Sequence, residues 1–180
     1  MIPTERIFMK LKTERLTLEP LGIPHFKTAC QYSLNPENAK MMVYLPYESE
    51  EEVRAYLVKC EQQWKKDRPE YIEMAILLDG VHIGSVSVDF LDWKGIGELG
   101  WILNKDYWGN GYTVEAARGL VDYCKEKYGL IHYVAHADSE NHASVRIMEK
   151  LGMKFVKKYS GRKNRISDEI RDEVLYEINL

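Results

Sequence analysis

Apolar and polar positions follow two distinct periods along this chain, and the switches between them predict its elements. In TERLTLEP (13–20) Leu16 and Leu18 share one side of an alternating run, which predicts a strand. Residues 23–33 predict a short helix. MMVYLPYESEEE (41–52) predicts a loop leading into a second helix, where Ser49 and Glu52 have capping-box spacing. Val53, Tyr56, Leu57, Cys60 and Trp64 then recur as one helical stripe, and Arg68-Pro69 ends that element. YIEMAILL and VHIGSVSVDF flank Asp79-Gly80, a pair suited to a two-residue type I′ hairpin turn. Apolar positions are odd at Val81 and Ile83 but even at Val86, Val88 and Phe90, a phase change that predicts a bulge near Gly84.

ELGWILN (98–104) alternates again, with Leu99, Trp101 and Leu103 on one side and Glu98, Gly100 and Ile102 on the other. A helix over 113–128 carries Val114, Ala117, Leu120, Val121 and Cys124, and Tyr128-Gly129 stops it. LIHYVAHA (130–137) is β-rich. Strand, helix, strand over 98–137 is a right-handed crossover between two parallel strands. A further helix over 141–151 ends at Gly152, and MKFVKKYS and RDEVLYEINL predict a closing strand pair. The fold class expected is α/β of the mixed α+β kind: one domain over 1–180, a mostly antiparallel sheet of about seven strands, and helices on both faces.

Composition narrows the function classes. At 180 residues the chain is long enough to bury about 70% of its unfolded surface. A net charge of −3 gives no general attraction to nucleic acid or anionic lipid. No apolar run approaches the ~20 residues of a membrane span, and MIPTERIFMK has neither the core nor the cleavage site of a signal peptide. Cys30, Cys60 and Cys124 are odd in number and far apart, as in a reduced cytosolic protein. His132 and His136 are about 13 Å apart on a strand, so a shared metal is not expected.

The chemistry concentrates in YWGNGYTVEA (107–116), a turn between the carboxy-terminal end of a strand and a helix start. The first helical N–H groups lack partners, and the macrodipole adds roughly +0.5 charge there. Gly109 and Gly111 let a ligand approach the backbone closely. The turn is either a plain connection or an anion site suited to a phosphate or pyrophosphate. A Rossmann fingerprint would need glycine at Val114, and a Walker A loop needs Gly-Lys-Ser/Thr; neither is present.

GELGWILNKDYWGNGYTVEA followed by NHASVRIMEKLGM resembles the GNAT superfamily of acetyl-CoA-dependent N-acetyltransferases, and within it the RimJ/RimL branch, which acetylates protein N-termini among other amines. The likeness spans nearly the whole chain. It implies that a Gln/Arg-x-x-Gly-x-Gly/Ala motif, here with Trp108, Gly111 and Thr113 in the first, fourth and sixth places, binds coenzyme A pyrophosphate. The backbone of Gly109, Asn110, Gly111, Tyr112, Thr113 and Val114 would supply the donors. Thr113 departs from the usual small residue and either crowds the phosphates or donates a hydrogen bond to them. The resemblance further implies a splayed parallel pair, with the pantetheine arm against the backbone of Trp101, Ile102 and Leu103. An N–H near Ile102 or Leu103 would meet the oxyanion.

For catalysis, the resemblance implies direct attack of a neutral amine on the thioester, with Glu98 as base through water. Many relatives carry an acidic tyrosine at the position of Met148, so Ser144, one turn earlier, is the alternative proton donor. Asn141 matches the asparagine that holds pantetheine and is also suited to cap its helix. Ser144, likewise, would either serve chemistry or satisfy helix N–H groups. An α-amine with pKa near 8 is about 10% neutral at pH 7 and a lysine about 0.04%, so a lightly equipped site favours an N-terminal or small amino-compound acceptor. The expectation is a cytoplasmic transferase using acetyl-CoA and no metal, with the acceptor amine as partner and neither nucleic acid nor membrane; relatives are often homodimers. The rivals are a coenzyme A sensor without turnover and an interaction module that binds neither ligand. Trp64 and Trp101 are expected in the core. Tyr44 and Tyr47 would line an acceptor mouth formed by loops 32–47 and 160–169. KFVKKYSGRKNR (154–165), with six basic residues, is either a solvated stretch or a contact for the coenzyme 3′-phosphate or an acidic acceptor.

Overall fold

The computed structural model describes residues 9–92 and 95–180. The stretch read as lacking a leader therefore lies mostly outside the described residues. The strands are β1 (Leu11–Lys12), β2 (Leu16–Pro20), β3 (Tyr71–Leu78), β4 (Val81–Asp92), β5 (Ile96–Leu103), β6 (His132–Asp138), β7 (Lys154–Lys163) and β8 (Ile170–Asn179). The helices are α1 (Phe26–Ser33), α2 (Pro36–Ala39), α3 (Glu50–Trp64), α4 (Tyr112–Tyr128) and α5 (His142–Lys150). All eight strands join one sheet in the order β1-β2-β3-β4-β5-β6-β8-β7, antiparallel except for β5–β6.

Local chemistry accounts for the boundaries. Asp79 and Gly80 both have positive φ, 49° and 82°, as a type I′ turn requires. Ile76 pairs with Gly84 and Leu77 with His82, so the expected bulge sits at Ile83, one residue from Gly84. Ser49 Oγ accepts the Glu52 N–H at 3.3 Å, while the Glu52 carboxylate takes the N–H of Glu48 at 3.1 Å, so the box closes one residue early. The second helix ends at Trp64 rather than at Arg68-Pro69. There the indole donates to the Glu73 carbonyl at 3.0 Å, fixing the helix end on β3. Gly129 (φ 68°) closes α4, its N–H reaching the Cys124 and Lys125 carbonyls.

Alternation sorts the strands between two cores. Leu18, Ile72, Met74, Ile76, Val86, Val88, Leu99 and Leu103 pack with Leu120, Cys124 and Met148 on the α4/α5 side. Ala75 and Ile102 pack with Leu21, Ala29, Val53, Leu57 and Cys60 on the α1/α3 side. Trp64 is buried as expected, whereas Trp101 is only partly buried and packs against the rim of the first core. No helix among the described residues is long and apolar enough to cross a membrane.

Candidate active site

The parallel pair opens where it is needed. β5 and β6 are in register for three residue pairs: Ile96 with His132, Gly97 with Tyr133 and Glu98 with Val134. Beyond Glu98, β5 stays paired with β4 as far as Leu103, and β6 with β8 as far as Asp138, so a fissure widens between them. The Asn104 N–H donates to the Ile83 carbonyl at 2.8 Å, on the β4 side. Trans peptide geometry then turns the Leu103 carbonyl toward the fissure, and in a strand its N–H follows. That carbonyl is occupied: Trp108 Nε1 donates to it at 2.8 Å and Asn38 Nδ2 at 2.9 Å. The groups still facing the fissure along the end of β5 are the N–H and carbonyl of Trp101 and the N–H of Leu103.

The fissure runs into the glycine turn. Gly109 and Gly111 have φ of 82° and 78°, conformations that favour glycine. Inside α4, Glu115 N–H reaches the Gly111 carbonyl at 3.2 Å, and no side chain caps the helix start. The preceding N–H groups stand at the positive end of a 17-residue helix. Trp108, Gly109, Gly111, Tyr112, Thr113 and Val114 line a cleft of about 1400 Å³ that also reaches Trp101, Ile102, Leu103, Asn141 and Ser144. That volume exceeds the ~300–1,000 Å³ of an ordinary small-ligand pocket and suits two substrates. The Asn110 side chain turns away, donating to the Tyr107 and Trp108 carbonyls at 3.2 and 3.0 Å.

Arg15 braces this turn from a distant part of the sequence. Its Nη1 donates to the Asn110 carbonyl at 3.0 Å and its Nε to Glu115 at 2.7 Å, and the guanidinium lies 4.7 Å from the Tyr112 ring centroid. Thr13 also donates to Glu115, at 2.5 Å. Burial alone would raise the Glu115 pKa, but the hydrogen bonds from Thr13 and Arg15 bring it below the ordinary carboxylate value. Nothing local marks Arg15 as a partner of a turn 95 residues away.

On α5, Asn141 Oδ1 accepts the Ser144 N–H at 3.1 Å and so caps the helix. Ser144 Oγ instead accepts Trp101 Nε1 at 3.3 Å, which leaves its proton free to face the cleft. Met148 is fully buried in the core. His142, Arg146 and Lys150 line the cleft mouth at i, i+4 and i+8 of α5, a stripe visible in the sequence.

Glu98 sits at the apex of the fissure on the other sheet face. Its Oε1 is 2.8 Å from His136 Nδ1 on β6, so it is not a solvated strand-edge carboxylate. The Glu98 hydrogen bond raises the His136 pKa above the usual imidazole value against an opposing desolvation. Directly opposite on β4 lies Asp89, which lines the cleft and is open to it. Burial, then the charges of Glu98 and Glu73, push it up to about 6. Deeper in the same face Glu73 is buried, accepting from Ser85 and Tyr56, and burial raises its pKa too. Tyr44, Tyr47, Tyr56 and Tyr71 complete this end. Of the basic stretch, Lys154–Lys163 forms the exposed outermost strand. Arg162 donates to the Met41 carbonyl at 2.8 Å and Arg165 to that of Tyr44 at 3.1 Å, tying the 160–169 segment over the 41–48 loop.

Comparison with known proteins gives this geometry its family. An acetyltransferase (GNAT) domain model matches residues 15–154. The uncharacterized N-acetyltransferase p20 of Bacillus licheniformis is 25% identical over 162 residues, covering 88% of this chain and 91% of its own. A GNAT-family acetyltransferase of Bacillus anthracis superposes with a TM-score of 0.81 at 22% identity, covering 95% of this chain and 98% of its own. RimL, a ribosomal L7/L12 α-N-protein acetyltransferase solved with coenzyme A, gives a TM-score of 0.83 at 14% identity, covering 96% and 98%. The chain is thus a member of the GNAT family of N-acetyltransferases, an acetyl-CoA-dependent acyltransferase.

Proposed function

We propose that this enzyme moves the acetyl group of acetyl-CoA to the α-amine of a peptide or protein N-terminus, or to a small amino compound, by direct attack. One observation carries the reading: the fissure between β5 and β6 leads from the unpaired N–H groups at the start of α4 to Glu98. The backbone of 109–114 would hold the diphosphate, and Arg146 and Lys150 place cations at the same mouth. The pantetheine arm would bond to the Trp101 main chain, and the Leu103 N–H would meet the carbonyl oxygen as it gains charge. Thr113, 7% exposed, lines the cleft beside the glycine turn, and its hydroxyl would donate to a phosphate oxygen. Asn141 keeps its amide nitrogen for the arm while its oxygen caps α5.

In this reading the proton-handling groups lie on opposite sheet faces, and the fissure connects them. Trp101 presents Ser144 from the α4/α5 side, where the thiolate would leave. Glu98, His136 and Asp89 lie on the α1/α3 side, where the amine would arrive. The N-terminal acceptor is supported by the RimL likeness and by the far larger neutral fraction of an α-amine than of a lysine at pH 7.

Thiol release from acetyl-CoA, measured with free-N-terminal peptides and small amines, tests the reading. Turnover with at least one such amine is expected, together with a higher melting temperature in millimolar acetyl-CoA. Tight binding without release across a broad panel would instead identify a sensor.

A further inference from the structure

We infer that His136, not Glu98, takes the proton from the acceptor amine, and that the Glu98 carboxylate positions it. The inference rests on the acetyl-transfer reading and assigns a residue within it. Glu98 and His136 stand on the two strands that part company, and their side chains meet where the fissure closes. The 2.8 Å contact joins Glu98 Oε1 to the Nδ1 edge of the ring. A carboxylate is acceptor-only, so it selects the tautomer with hydrogen on Nδ1 and leaves the Nε2 lone pair available. Among the described residues Nε2 has no protein partner, and the ring lines the cleft beside Glu98. Glu98 has one oxygen committed to the imidazole, so it is the poorer proton acceptor of the pair.

The charges around the ring are of both signs. Glu98 on β5 and Glu173 on β8 favour the protonated ring, and Arg162 on β7 opposes it. Asp89 on β4 lies opposite Glu98, and the Tyr159 ring stands edge-on to His136, 6.5 Å between centroids. The contact with Glu98 raises the His136 pKa above the usual imidazole value, which makes the ring the stronger proton acceptor.

The step balances. The amine nitrogen bonds to the acetyl carbon while its proton passes to Nε2, and the C–S bond breaks with its electron pair going to sulfur. Ser144 gives its proton to the thiolate and regains one from the imidazolium through water. An amine that arrives as ammonium first releases its extra proton to solvent.

Three variants of the full chain, H136Q, E98Q and E98A, provide the test. The readouts are thiol release against pH with a serine-initiated tetrapeptide and a set of short primary amines, and the acetyl-CoA-induced rise in melting temperature. H136Q should lose about 100-fold or more in kcat/KM, lose the acid limb of the profile, and keep the acetyl-CoA response. E98Q should keep partial activity, because its amide oxygen still accepts from Nδ1, with the acid limb moved to lower pH; E98A should be slower than E98Q. A direct carboxylate base predicts the reverse: E98Q and E98A equally inactive, and H136Q retaining both rate and limb. H136Q with unchanged rate and limb, or with its acetyl-CoA response lost, overturns the inference. A wild type that turns over no amine is still decided by nitrogen NMR of labelled histidine with acetyl-CoA bound, where a proton fixed on Nε2 and absent from Nδ1 would refute it. A wild type that neither responds to acetyl-CoA nor releases thiol would instead be the failure of the transfer reading itself.

Discussion

Replacing Gly84 by alanine should injure stability and the site together. An ideal Cβ on Gly84 falls 2.3 Å from the Ile102 carbonyl oxygen and 2.8 Å from Leu103 Cα. Ordinary contacts begin near 3.4 Å, so the β5 main chain would have to retreat by about 1 Å. Overpacking against side chains costs about 1–3 kcal/mol, and a paired strand yields less than a side chain does. We therefore expect a loss of about 3 kcal/mol. For a chain of this length each kcal/mol lowers Tm by about 2–4 °C, so the variant should melt about 6–12 °C below the wild type. The displaced segment carries the Leu103 N–H and the Trp101 backbone, so turnover should fall even at temperatures where the variant is folded. Calorimetry with and without acetyl-CoA, followed by thiol release on the folded protein, checks both parts. A Tm within about 2 °C of the wild type, with normal kinetics, would show that the sheet absorbs the methyl group and that β5 placement is not critical.

Gly111→Val should weaken acetyl-CoA binding, since a branched side chain there blocks approach to the helix start and is also strained at φ 78°, although a Cβ meets nothing nearer than Arg15 Nη2 at 3.7 Å. An unchanged acetyl-CoA dissociation constant by calorimetric titration would remove the diphosphate role. Ser144→Ala should lower kcat more than it changes acetyl-CoA affinity, and Trp101→Phe should reproduce part of the loss by freeing the hydroxyl; equal rates in steady-state assays would reduce Ser144 to a bystander. Asp138 is fully buried and binds Arg171, Asn164 and the Glu140 N–H, so Asp138→Ala should cost about 1–3 kcal/mol in urea unfolding by leaving the Asn164 amide and the Glu140 N–H without their acceptor, while Arg171 keeps Glu140 and Glu169. The raised His136 pKa means its pairing with Glu98 adds stability that is fully present below about pH 6.5 and is lost as pH rises through the folded-state value. The stability gap between wild type and E98Q should accordingly narrow on going from pH 6 to pH 8.5, and a gap that widens would contradict the pairing.

Much of the frame was legible because short-range rules dominate it. Asp79-Gly80, Gly129 and Gly152 each mark a backbone conformation that few residues adopt, and strand parity separated Leu99 and Leu103 from Glu98 and Ile102 on the correct faces. α2 escaped notice because four residues cannot show a period, and β1 because it is only two residues long. The expected end of α3 at Arg68-Pro69 overshot since Lys65, Lys66 and Asp67 suit a helix; the Trp64 contact with β3 decides the boundary instead. In the site, the turn and its strand could be read from residue types. The Arg15 brace could not, nor could the meeting of Glu98 with His136, because both depend on register between segments that share no local pattern. Whether Ser144 serves chemistry or its helix was open in the sequence; with Asn141 capping and the hydroxyl on Trp101, the backbone role belongs to the asparagine.

Three residue pairs hold the β5–β6 boundary, against seven between β6 and β8. Mechanically the sheet is two rafts, β1 to β5 and β6 with β8 and β7, sharing one short weld. An extended guest in the gap would act as an extra rung, bonding to main chain that the protein itself leaves bare. Amide exchange around Leu99–Leu103 should then slow sharply on loading, while the β3–β4 hairpin, already zipped on both flanks, should barely respond.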